Sequence, residues 1–118
     1  MAASLDDLSP RAALVQIARD FHARGWMLGT AGNLSAREDV GHFWITASGV
    51  PKGRLEENEF LLVRIADGAV VESARPGNRP SAETAIHAAL YRLFPEARAC
   101  LHGHSVEAAL VSRRAPKK

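Results

Sequence analysis

Aromatic residues are scarce in this sequence, at 6% of the chain, and cysteine occurs once, at Cys100, within an apolar run. A single thiol cannot close a disulfide inside the chain, so the fold must rest on a core, and a reducing compartment is expected. No stretch approaches the roughly 20 apolar residues of a membrane-spanning helix. The start, Met1-Ala2-Ala3-Ser4-Leu5-Asp6-Asp7, has neither the basic opening nor the apolar stretch of a secretory signal. A cytoplasmic protein without a membrane partner is the expectation. Charge of one sign is not in large excess either. The formal net charge is +2, and four of the basic residues fall in the last six positions, so the remainder is slightly acidic. With no motif that interleaves aromatic and basic residues, a nucleic-acid partner is not expected.

What is present suits one domain over residues 1–118: the chain is 47% hydrophobic and 24% charged, enough for one core and not two. Ser9 is placed to cap a helix with Pro10 in its first turn. Leu14, Ile17, Ala18 and Phe21 then mark an amphipathic stripe, and Gly25 supplies a stop. Residues 29–33 form a glycine-rich turn. Residues 34–38 and 42–47 read as strands joined by a hairpin-like turn at residues 39–41. A second glycine-rich loop, residues 48–53, leads to a strand over residues 60–65, and Asp67-Gly68 turns it back into residues 69–72. In a second helix, Ala82, Ala85, Ile86, Ala89, Leu90 and Leu93 share one side, predicted to pack on a sheet, and Pro95 ends it. A buried strand over residues 97–102 follows. Ser105 is then placed to cap a third helix beginning at Val106 and running through Leu110. The pattern predicts a layered α/β domain with antiparallel pairing.

Three groups of residues carry possible chemistry. In a strand, His102 and His104 project to the same face and can converge on one metal, zinc being suited to neutral imidazole. They stand after an apolar strand, where layered α/β folds commonly bind ligands. Glu83 lies in the first turn of the second helix, where a carboxylate is favoured by the helix dipole alone, and where it could also serve as metal ligand or general base. His87 lies four residues on, and reads as a packed or hydrogen-bonded neighbour rather than a ligand. The turns around Gly32-Asn33, Ser48-Gly49 and Ser81 offer backbone N–H groups and hydroxyls of the kind that cradle a phosphate.

Four stretches stand together in order and spacing: Thr30-Ala31-Gly32-Asn33-Leu34-Ser35-Ala36-Arg37, Ile45-Thr46-Ala47-Ser48-Gly49, Arg79-Pro80-Ser81-Ala82-Glu83 and Leu101-His102-Gly103-His104-Ser105. In this the chain resembles the class II aldolase/adducin family over nearly its whole length. Residues 48–55 and 79–84 are most similar to the family's bacterial branch that dehydrates methylthioribulose 1-phosphate in methionine salvage. The resemblance implies a three-layer α/β/α fold with a mainly antiparallel central sheet. It implies one zinc ion per subunit, held by His102, His104 and a third histidine further along. It implies Glu83 as the acid/base residue and Gly32, Asn33, Ser48, Gly49 and Ser81 as the phosphate site. A small-molecule sugar phosphate and a homo-oligomer, typically a tetramer, are the implied partners. Sugar-phosphate aldolases or epimerases of the same fold, and a non-catalytic adducin-like or inactive fragment, are the alternatives.

The chain departs from the family pattern in two ways. Ala82 stands where the aldolases often carry a second serine. The histidines present are His22, His42, His87, His102 and His104, and none fits the third-ligand position. Glu107 also follows the histidine pair too closely to match the acid/base glutamate that some dehydratases carry there. The expectation is therefore the N-terminal portion of such a domain, cut short at its C-terminus.

Overall fold

A computed structural model of the chain describes residues 8–25, 32–50, 54–102 and 110–113. Helix α1 (Pro10–Ala23) starts where the Ser9 hydroxyl accepts a hydrogen bond from the Ala12 N–H at 3.2 Å, with Pro10 in its first turn. Leu14, Val15 and Ala18 are buried, and Ile17 and Phe21 pack beside them, so the predicted stripe is the one that meets the core. After the last turn, the Gly25 N–H donates to the His22 carbonyl at 3.0 Å.

The strands are β1 (Asn33–Asp39), β2 (His42–Thr46), β3 (Phe60–Arg64), β4 (Val70–Ser73), β5 (Ala97–His102) and β6 (Leu110–Arg113). They form one sheet in the order β4-β3-β2-β1-β5-β6, with each described neighbour pair antiparallel. Two tight turns are held by aspartates. The Asp39 carboxylate accepts from the Gly41 N–H at 2.9 Å, and that of Asp67 from the Ala69 N–H at 3.0 Å. Both hairpins lie where alternation and turn chemistry predict them.

Alternation along the central strands builds two cores. Leu34, Ala36, Trp44 and Leu101 face α1, while Phe43, Ile45, Leu61, Val63 and Cys100 face helix α2 (Thr84–Leu93). Phe43, Trp44, Ile45 and Thr46 are all buried, because β2 is covered on both faces. The result is the three-layer α/β/α arrangement with an antiparallel sheet.

Two expectations are corrected. The stripe predicted to bring the second helix onto the sheet does not do so. Ile86 is 57% exposed and Leu93 71% exposed, Ala82 and Ala85 are exposed, and Ala89 and Leu90 are half-buried. The face that meets the sheet is Thr84, His87, Ala88 and Tyr91. The reason lies across the interface. β1 presents Ser35 and Arg37 to α2, and a wholly apolar helix face would leave buried hydrogen-bonding groups unpaired, at about 1–3 kcal/mol each. The second correction concerns the third helix. Residues 103–109 lie outside the described residues, but Leu110–Arg113 is a strand, paired with Cys100↔Val111 and Leu101↔Leu110 in register. Without it, β5 would end the sheet with a row of unpaired backbone groups, and filling that edge outweighs local helix preference.

The exchange of helix faces gives a test by chemical denaturation. Tyr91→Ala is expected to destabilise the chain by about 3 kcal/mol or more. Leu93→Ser is expected to change stability by no more than about 0.5 kcal/mol. The opposite ranking would restore the apolar stripe as the packed face.

Candidate active site at one end of the sheet

Because β1 runs antiparallel to both neighbours, its first residue lies beside the last residues of β2 and β5. Asn33 is paired with His102 across the β1–β5 ladder. The start of α2 is brought to the same end by a backbone bond: the Ser48 N–H, in the turn after β2, donates to the Arg79 carbonyl at 2.8 Å. Gly32, Asn33, Ser48, Gly49, Ser81, Glu83 and the backbone of His102 thus collect at one end of the sheet. Gly32 and Gly49 hold φ of +90° and +77°, a region that side-chain-bearing residues rarely adopt. His104, Gly103 and Ser105 lie outside the described residues, as do Thr30, Ala31 and residues 51–53 of the two glycine-rich loops.

Glu83 is fixed from three directions. Its backbone N–H donates to the Ser81 hydroxyl at 3.0 Å. Its carbonyl accepts from the His87 N–H at 3.1 Å, which starts the helix. Its carboxylate oxygen Oε1 accepts from Asn33 Nδ2 at 3.0 Å. The Asn33 amide is itself oriented by Thr46, a buried residue at the end of β2. The Leu34 N–H donates to Thr46 Oγ1 at 3.2 Å, and Thr46 Oγ1 donates to Asn33 Oδ1 at 3.3 Å. With the Asn33 oxygen so engaged, its NH2 group is the one turned to Glu83. Ser81, accepting from Glu83, keeps its own O–H proton to give to an anion.

Below this lies a buried polar cluster. Ser35 Oγ is 2.6 Å from His87 Nδ1 and 2.8 Å from the Tyr91 hydroxyl. Further along, Arg37 donates to the Ala97 carbonyl at 2.8 Å and to the Tyr91 carbonyl at 3.2 Å, with its guanidinium 4.9 Å from the Tyr91 ring centre. Asn33, Ser35 and Arg37 recur at every second residue of a strand, about 6.6–6.8 Å apart. Glu83, His87 and Tyr91 recur at every fourth residue of a helix, about 6.0 Å apart. The two spacings nearly match, so strand and helix join as three polar rungs. From sequence, Ser35 and Thr46 stand only among the small polar residues of a possible phosphate cradle, Arg37 only within a motif stretch, and Tyr91 is not singled out. The signal that reveals them is the polar alternation of β1 set beside the four-residue polar spacing in α2.

Burial shifts two acids here. It pushes the Tyr91 phenol far above its ordinary range, against the opposing effect of its hydrogen-bonded contact with Ser35. It pushes the Cys100 thiol up to about 11, with the negative charge of Glu83 adding to the effect. Thr84 Oγ1, next to Glu83 and buried, has no hydrogen-bond partner among the described residues. Among the described residues no group of three or more His, Cys, Asp or Glu side chains is placed to hold a metal ion. No helix among them is long and apolar enough to cross a membrane.

Solved structures with this arrangement include L-fuculose 1-phosphate aldolases. An L-fuculose 1-phosphate aldolase from Glaciozyma antarctica superposes with a TM-score of 0.74 at 27% identity, covering 90% of this chain and 45% of that one. The L-fuculose-1-phosphate aldolase of Thermus thermophilus gives 0.65 at 38% identity, covering 81% and 46%. The chain belongs to the class II aldolase and adducin N-terminal domain family, whose model matches residues 12–118. Within that family it is similar to methylthioribulose-1-phosphate dehydratases. It is 61% identical over 104 residues to that of Microcystis aeruginosa, and 50% identical over 102 residues to that of Sodalis glossinidius. These matches take in 88% and 86% of this chain, and it spans about half the length of the relatives, 50% and 49%.

The buried thiol supplies a prediction. Cys100 holds its proton more tightly folded than unfolded, so folding stability should fall as pH rises from the ordinary thiol range towards about 11. Denaturation midpoints across that range should show the loss, and Cys100→Ala should reduce it. In native protein at neutral pH, the thiol should resist alkylation until denaturant is added.

Proposed function

We propose that this chain carries the carboxylate, the first two histidines and the phosphate grip of a zinc-dependent lyase that dehydrates methylthioribulose 1-phosphate. Residues 1–118 are read as the N-terminal portion of a single domain of that enzyme. The observation that carries the reading is the contact of Asn33 with Glu83 at the strand end where Asn33 is also paired with His102. It draws together the carboxylate and the strand end of the histidine motif. The identity of 61% to the Microcystis aeruginosa dehydratase supports the choice of reaction.

In this reading Glu83 takes the proton from C3 of the substrate. The electron pair released forms the C2–C3 enolate, and the C4–oxygen bond then breaks as the leaving hydroxyl takes back the proton held by Glu83 and departs as water. The resulting enol relaxes to the diketo-methylthiopentyl phosphate. Gly32, Asn33, Ser48, Gly49 and Ser81 hold the phosphate and fix the reacting carbons beside Glu83, a positioning effect worth several kcal/mol of barrier. Two imidazoles, from His102 and His104, with the Glu83 carboxylate would be ligand types that suit zinc. Bound there, Zn2+ supplies Lewis-acid stabilisation of the negative charge that develops on the C2 oxygen. Reduced Cys100, buried and unpaired with another cysteine, suits a cytoplasmic setting. Family likeness carries the expectation of a homo-oligomer.

A sugar-phosphate aldolase is the second reading, favoured by the fold likeness to the fuculose-phosphate enzymes. It uses the same residues but breaks the C3–C4 bond. Product analysis separates the two: water loss retains all carbons of the substrate in one molecule.

Two measurements test the site. Zinc titration of the 118-residue chain should show weak binding that disappears when His102 and His104 are both changed to alanine. Tight binding that survives the double change would remove the metal assignment. The 118-residue chain alone should show little or no turnover. In a form extended to the length of its relatives, with methylthioribulose 1-phosphate and Zn2+, Glu83→Gln should lower kcat by about 10²–10⁴-fold while KM changes little. An unchanged kcat would exclude Glu83 as the acid/base residue.

A further inference from the structure

The Ser35 hydroxyl has one proton and two close partners, His87 Nδ1 at 2.6 Å and the Tyr91 hydroxyl at 2.8 Å. All three residues are buried, with exposures of 0%, 2% and 2% for Ser35, His87 and Tyr91. An arrangement with both partners donating to Ser35 Oγ would leave the buried Ser35 proton without an acceptor among the described residues, so two proton arrangements are open. The His87 N–H could donate to Ser35 and Ser35 to Tyr91, or Tyr91 could donate to Ser35 and Ser35 to His87. Chemistry selects the second. A phenol is the stronger acid and better donor of the two hydroxyls, and an aliphatic hydroxyl oxygen is the better acceptor. Around the Tyr91 ring lie Phe43, at 4.8 Å between ring centres, and Arg37, neither of which offers the phenol proton an acceptor, and the Cys100 backbone N–H donates to the phenol oxygen. Burial also keeps the phenol protonated.

We propose that Ser35, His87 and Tyr91 are positioning residues for Glu83. Their hydrogen bonds run one way, from Tyr91 O–H to Ser35 Oγ and from Ser35 O–H to His87 Nδ1. They hold α2 in the register on β1 at which Glu83 meets Asn33. The inference rests on the reading of Glu83 given above for its catalytic meaning, and on geometry alone for its structural content. His87 is one helical turn after Glu83, and Ser35 is two residues after Asn33, so the buried rung and the site rung are adjacent steps of the same two elements. A slip of one residue turns a helix by about 100° and would carry Glu83 away from Asn33. The relay also fixes the imidazole as the tautomer with its proton on Nε2, since Nδ1 accepts.

The test is nuclear magnetic resonance on the ¹⁵N-labelled 118-residue chain, which needs no turnover. Long-range ¹H–¹⁵N spectra should place the His87 proton on Nε2, with Nδ1 a hydrogen-bonded acceptor. The side-chain NH2 signals of Asn33 should be separated by the bond to Glu83. In Ser35→Ala, His87 should lose its fixed tautomer and the two Asn33 signals should move towards those of a solvated amide. Ser35→Thr, which restores a hydroxyl, should return both. Tyr91→Phe keeps the ring in the core and should shift both signatures in the same direction by less, which keeps the proposal testable if Ser35→Ala does not fold. A proton found on Nδ1 in the unaltered chain would overturn the relay. So would Asn33 signals that stay fixed in folded Ser35→Ala and Tyr91→Phe. Full turnover in Glu83→Gln would instead overturn the catalytic reading of Glu83 and leave the spectra to decide the relay.

Discussion

The contact between one face of β1 and the inner face of α2 governs the rest of this molecule. It is polar where most helix–sheet interfaces are apolar. Asn33, Ser35 and Arg37 meet Glu83, His87 and Tyr91 rung by rung. Such an interface is demanding, because each buried donor or acceptor left without a partner costs about 1–3 kcal/mol. It is also specific, because sliding the helix along the strand breaks every rung at once. An apolar seam tolerates small slips, whereas this one has a single register that satisfies its groups.

That register sets the location of the chemistry. The antiparallel sheet puts the beginning of β1 beside the ends of β2 and β5, and the ladder puts the beginning of α2 above them. Turn, strand end and helix start therefore meet at one place, although they come from segments as far apart as Asn33 and Glu83. The apolar clusters on the two sides of the sheet supply the driving force for folding, chiefly through Phe43, Ile45 and Val63 on one face and Leu14, Leu34 and Trp44 on the other. The polar ladder contributes little net driving force and decides the geometry.

Membership of the class II aldolase and adducin family accounts for the layered fold. The same scaffold serves aldolases and dehydratases among its relatives. The Glu83 carboxylate is held at a defined point by the protein's interior. The Asn33 amide, oriented by Thr46, places a donor against Glu83 before any ligand is bound.

Much of this was legible in the sequence. The cap at Ser9, the turn signals at residues 39–41 and 67–68 and the alternation of β2 and β3 are local, each decided by residues a few positions apart. The four motifs marked Gly32, Asn33, Ser48, Gly49, Ser81 and Glu83, which the fold gathers at one end of the sheet, and the fold class followed from element order. The inner face of α2 was not legible, because hydrophobicity alone favoured Ala85, Ile86 and Leu93. The residues that decide the question, Ser35 and Arg37, lie about half the chain away in sequence and act through hydrogen bonds that periodicity does not register. Strand β6 escaped prediction for a related reason: Leu110–Arg113 pairs because β5 offers an open edge, not because of its own preference. The sequence by itself thus determined all the described elements but β6, the turns between them and the kinds of residue gathered at the candidate site. Tertiary structure alone decided which helix face is buried and which groups meet, because a buried polar group takes its place from its partner rather than from its neighbours in the chain.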